Sequence, residues 1–197
     1  MLSSITPLGE RGRGNRWWLT VTAFIVAATF GGALMGTCFG LLGWPVRTVL
    51  SDTATAIIIV VAGTVAVLFD AGVIKIALPR WRRQVNEDWL TAYRGWVYGA
   101  GFGFQLGAGL LTIVTAATTY LLFLLTFLSG SPTVGAILGG TFGLVRGLTL
   151  LASARIDSPE DLVRFHKRLN ERAPLSRFAT IGADALVVGA AALAVLR

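Results

Sequence analysis

Cysteine is nearly missing from this chain of 197 residues: Cys38 stands alone, and an intramolecular disulfide is excluded. Histidine is equally scarce. His166 has no second histidine or cysteine near it in sequence to complete a metal site, so no metal and no cofactor are expected. No nucleophile stands beside a base, so no catalytic residues and no enzyme activity are expected. Charge is short as well. Only 14% of the residues are charged, against about a quarter in a typical soluble domain, which is too few to coat a water-facing surface. Lysine is rarest among the cations, two against fifteen arginines, a usage that points to a GC-rich bacterial genome.

What remains is apolar. The chain is 54% hydrophobic with a mean hydropathy of +0.71, and the apolar residues come in long runs. A crossing helix needs roughly 17–25 such residues. Runs of that kind cover about 17–43, 54–77, 97–128, 133–154 and 178–196. The fold expected is therefore all-α: one integral membrane domain, a polytopic transmembrane bundle of about five spans. The third run is too long for a straight span, since at ~1.5 Å per residue it would overshoot the ~30 Å hydrocarbon layer. It must tilt, project into the headgroups or break near its glycines, and a broken or re-entrant third helix would make six passes. The first run is longer than the roughly 7–15 residues of a signal-peptide core and is read as an uncleaved anchor.

The cations sort by connector. With the N-terminus in the cytoplasm, Arg11, Arg13, Arg16, Lys75 and the cations of segments 78–96 and 155–177 all lie inside, Arg146 lies within a span, and only Arg47 and Arg197 lie outside. That is the positive-inside bias, and it places the C-terminus outside the bacterial inner membrane. It also accounts for the net charge of +7 without nucleic acid as a partner. The tryptophans flank the spans, where indoles prefer the interface. In "SPEDLVRFHKRL", Ser158 reads as an N-cap and Pro159 as the first helical residue, followed by Glu160 and Asp161. This basic helix either lies on an anionic lipid leaflet or is a solvated connector.

Glycine recurs every four residues in three spans: Gly32, Gly36 and Gly40; Gly95, Gly99, Gly103 and Gly107; Gly135, Gly139, Gly143 and Gly147. Spacing of four keeps residues on one helix face. In lipid, helices gain nothing by hiding apolar surface from water and associate through close packing, which small faces permit. Such faces fit a packed core, a homo-oligomer or a membrane partner subunit. "GALMGTCFGLLGW" and "GAILGGTFGLVRG" also match each other at six positions, about a hundred residues apart. With two spans between them they cross in opposite directions, as in an inverted repeat; convergence of two glycine-rich helices is the other reading. "GAGFGFQLG" does not fit a dinucleotide-binding glycine loop.

Four polar residues interrupt the spans: Asp70, Gln105, Arg146 and Asp184. Counted from the cytoplasmic ends they fall ~9–12 Å deep, on one level. Charges at such depth are costly, and pairing offsets the cost. The arrangement expected is an Asp70–Arg146–Asp184 cluster with Gln105 beside it, serving either as a static staple or as a gate or ion site. Thr112, Thr115, Thr118, Thr119 and Tyr120 either bond to their own helix or continue a polar path outward. Cys38 is read as a small packing residue. Two functions follow from these readings: a small transporter-like carrier built on the polar layer, or a non-catalytic accessory or assembly subunit packing through its glycine faces.

The stretch "RGWVYGAGFGFQLGAGLLTIVTAATTYLLFLL" followed by "GGTFGLVRGL" resembles small polytopic proteins of actinobacteria. More distantly it is similar to the transmembrane electron-carrier family of cytochrome c biogenesis. The resemblance implies an inverted-repeat membrane architecture. That family works with two membrane cysteines, and here only Cys38 exists, so dithiol exchange within one chain is not carried over.

Overall fold

The computed structural model describes residues 5–74, 89–109 and 117–195. Every element among them is helical, and the chain is a transmembrane helix bundle. A short α1 (Pro7–Gly12) precedes α2 (Trp17–Val49), α3 (Asp52–Asp70), α4 (Trp89–Ala92), α5 (Gly95–Ala108), α6 (Thr118–Ser129) and α7 (Pro132–Leu148). A 3-10 turn, Thr149–Ser153, extends α7, and α8 (Pro159–Val195) closes the chain. Among the described residues, four stretches are long and apolar enough to cross a membrane: Trp17–Val49, Asp52–Asp70, Pro132–Ser153 and Arg177–Val195.

The long α2 is the central post. Its 33 residues extend ~50 Å at 1.5 Å per residue, and they continue through Pro45 past the end at residue 43 that the apolar run suggests. Helix α7 crosses it antiparallel. Gly32 meets Gly139, Gly36 meets Gly135, Gly40 meets Ser131 and Gly143 meets Ala28, in each case against a backbone carbonyl that leaves no room for a side chain. These are the two glycine repeats, and the pairing is reciprocal. A Cβ at Gly32 would strike the Gly139 carbonyl, and one at Gly139 would strike that of Gly32. Each of the two similar segments is thus the other's packing surface.

Helix α5 lies along the first half of α2, with Gly99, Gly103 and Gly107 set against the carbonyls of Thr20, Phe24 and Ala28. Ala28 is fully buried where α2, α5 and α7 meet. Helix α6 lies along the second half of α2: Phe123 stacks on Phe39 at 4.9 Å, and the Phe127 carbonyl sits against Gly43. Both run parallel to α2. The third apolar run is thus a helix broken near the middle of α2. Its halves of 14 and 12 residues reach only ~21 and ~18 Å, so neither crosses ~30 Å of hydrocarbon alone. The break begins at Gly109, whose φ of +72° is open to glycine and strained for other residues.

Helices α3 and α8 form an antiparallel pair at the side of this core, with Val188 of α8 touching Gly63 of α3. Their contact runs through side chains instead of backbone. Helix α8 is continuous from Pro159 to Val195, so the basic stretch that begins at Ser158 runs directly into the last span and is not a separate surface helix. Ser158 caps it, accepting from the Asp161 amide at 3.2 Å and donating to the Asp161 carboxylate at 2.8 Å. That hydroxyl, together with Arg164, holds the Asp161 carboxyl below the usual range.

Candidate functional site at a broken span

A helix that stops inside a membrane leaves its last carbonyls and the next helix's first amides without intrahelical partners. No water is at hand to satisfy them, so the protein must. Two of the predicted polar residues do this work. Arg146, on α7, donates from Nη1 to the carbonyl of Leu106 in the last turn of α5 at 3.0 Å. Its guanidinium also lies 5.1 Å from the centre of the Phe142 ring, a cation–π contact. Asp70, the last residue of α3, accepts from the Ala117 amide at 2.9 Å and from the Thr118 hydroxyl at 3.2 Å, at the start of α6. The signs match the helix dipoles: a cation at the negative C-terminus of α5, an anion at the positive N-terminus of α6.

The expected Asp70–Arg146–Asp184 ion cluster is therefore not what forms. Among the described residues Arg146 pairs with no carboxylate. The reason lies in the break: two helix ends in mid-span offer Arg146 and Asp70 partners of opposite sign that cost no further buried charge. Asp70 also does not sit seven residues inside its span as the apolar run to residue 77 suggests: α3 ends on Asp70 itself. Gln105 is half-buried on α5 and is hydrogen-bonded to none of the other three. Asp184, on α8, is fully buried. Its neighbours are the Asp70 carboxyl and Thr118, but neither of its oxygens receives a hydrogen bond.

Of the polar path, Thr112 and Thr115 lie outside the described residues. Thr118 serves Asp70, Thr119 is buried, and Tyr120 lines an apolar groove of about 360 Å³ between α3 and α6, together with Ala62, Ala66, Phe69, Ala117 and Leu121. Most of segment 78–96 is likewise outside the described residues. Cys38 is exposed, not packed in the core as its type suggests. The glycine ladders Gly32, Gly36, Gly40, Gly99, Gly103, Gly107, Gly135, Gly139, Gly143 and Gly147 are all buried against other helices.

One polar centre escapes the sequence reading. Glu10 of α1 is fully buried and accepts from Thr20 at 2.9 Å, from Arg13 at 2.6 Å and from the Tyr98 hydroxyl. Asn15 completes the set, donating to Tyr98 at 3.3 Å and accepting from the Gly95 amide at 3.3 Å. Burial opposes the charge on Arg13, and its bonds to Glu10 and Tyr98 outweigh that, leaving the guanidinium above its ordinary value. The segment folds back over the bundle end: Ser153 donates to the Ile5 carbonyl at 3.2 Å and Leu8 to that of Ile156 at 3.1 Å. The available signal was Thr6–Pro7, a cap followed by proline. Thr6 does cap Gly9, at 3.1 Å.

No protein-family model matches the chain, and no solved structure matches it. Two curated proteins do. Over 152 residues the chain is 28% identical to methylamine utilization protein MauF of Methylophilus methylotrophus, covering 75% of this chain and 52% of the relative. Over 151 residues it is 26% identical to methylamine utilization protein MauF of Methylobacillus flagellatus, covering 75% and 53%. The chain spans about half the length of the curated relatives it matches. These matches correct the resemblance drawn from glycine spacing: the relatives are named neither as electron carriers of cytochrome c biogenesis nor from actinobacteria. Glycine spacing reports close helix packing, which unrelated membrane bundles share.

Proposed function

We propose that this protein is a non-catalytic accessory component of a membrane system of the methylamine-utilization kind, assembled with a membrane partner. The observation that carries the reading is the likeness to two proteins of that name over three-quarters of the chain. The fold supports it in two ways. Arg146 and Asp70 are engaged in closing helix ends, so they are not free to line a pathway. The groove beside them is apolar, which suits lipid or a partner helix better than a hydrophilic substrate. The ladder glycines are spent inside the chain, so the partner-facing surface is the outer side of α3 and α8, where Ile57, Val61, Leu186 and Leu193 are exposed and a side chain at Gly182 or Gly189 would meet open space.

The charge bias places the N-terminus in the cytoplasm and the C-terminus outside the inner membrane. Segment 155–177, rich in arginine, is then on the cytoplasmic side, and its cations nearest the span meet the anionic inner leaflet. The test is a chromosomal deletion in a host that grows on methylamine. The accessory reading predicts that growth on methylamine is lost while uptake of labelled methylamine into the cells continues. Loss of uptake itself would favour the carrier, and unchanged growth would contradict both.

A further inference from the structure

The oxygens of Asp184 are the one pair of buried carboxylate oxygens with no partner among the described residues. The residue is fully buried, and no group around it donates to either oxygen. From α6 it faces Thr118, whose hydroxyl is already given to Asp70. From α3 it faces the Asp70 carboxyl, which is satisfied as an anion by the Ala117 amide and Thr118. Between residues 177 and 195 its own helix carries one other charged group, Arg177, which donates to the backbone carbonyl of Asp70 at 2.7 Å. Tyr120 is the only other titratable side chain on α6.

Two adjacent carboxylates in a dry site do not both stay ionised. A buried charge without hydrogen bonds neutralises itself instead. The N-terminus of α6 compensates one negative charge, and Asp70 has taken it. We infer that Asp70 and Asp184 form an intramembrane proton-binding site, in which the carboxyl of Asp184 carries the proton and Asp70 is the carboxylate beside it. The step is one proton taken up by one Asp184 oxygen, with no bond broken elsewhere. The site joins α3, α6 and α8, the loosely packed side of the bundle. Release of the proton sets two anions against each other across those helices and loosens α8.

The experiment is infrared difference spectroscopy on the full chain in lipid nanodiscs at neutral pH, with thermal melting followed in parallel. The wild type should show the carbonyl stretch of a protonated carboxylic acid. Asp184→Asn should abolish that band while melting as the wild type does at neutral pH. The wild-type melting temperature should fall as pH rises, and that dependence should be lost in Asp184→Asn. Asp70→Asn, which removes the neighbouring charge, should keep the band. Absence of the band from the wild type, its survival in Asp184→Asn, or a melting temperature raised by sodium at constant pH would overturn the inference, the last by identifying a metal cation as the occupant.

Discussion

The two sides of this bundle are built on different contacts. Around α2, helices α5 and α7 approach backbone to backbone, and glycine is required because a carbonyl stands where a Cβ would go. Between α3 and α8 the contact is side chain to side chain, and glycine is incidental: Gly63 meets only side chains, those of Val188 and Leu121, and Gly182 and Gly189 meet nothing. Backbone cannot rotate away from an added methyl, but a side chain can. One side is rigid and intolerant, and the other can repack, or accept a partner, at low cost.

Substitution should expose that difference. Gly36→Leu is predicted to do most damage, at or beyond the ~3 kcal/mol upper end of ordinary overpacking, with loss of the monodisperse peak in detergent. Smaller losses follow at the break. Arg146→Leu strands the Leu106 carbonyl and should cost ~1–3 kcal/mol. Asp70→Ala removes the cap of α6 and should cost ~0.5–2 kcal/mol, both read as lower melting temperatures. Gly182→Leu, the same change as at Gly36 but on the open side, should stay within ~0.5 kcal/mol; a loss comparable to Gly36→Leu would erase the contrast. The least effect belongs to the exposed start of α8. Because Ser158 holds the folded-state Asp161 carboxyl below its ordinary value, the stabilisation is present above that value and fades as pH falls through the lowered one. Ser158→Ala should move the Asp161 titration, followed by NMR, back upward.

The bundle was legible in the sequence because hydropathy and glycine spacing report directly on lipid exposure and helix approach. The long third run announced its own difficulty, since 32 residues do not fit one straight crossing. The position of the break was not legible: Gly109 is one glycine among several in that run, and only the fold shows which takes a positive φ. The polar residues were found, but their partners were not. Opposite charges at one counted depth suggest each other, whereas the groups that claimed Arg146 and Asp70 are backbone atoms, which every residue carries and no sequence pattern marks. Glu10 was missed because its burial depends on a six-residue helix folding over the bundle end, a tertiary contact with no periodic signature.

The central claim is that Arg146 and Asp70 serve the ends of a broken span, and that Arg146 pairs with neither Asp70 nor Asp184. A double-mutant cycle between Arg146→Leu and Asp184→Asn, read by thermal or denaturant unfolding in one detergent, tests it most directly. The account predicts additivity within ~0.5 kcal/mol, as for sites without shared partners. A coupling of ~1 kcal/mol or more, with Asp184→Asn rescuing the loss of Arg146, would show that the guanidinium pairs with the acids after all.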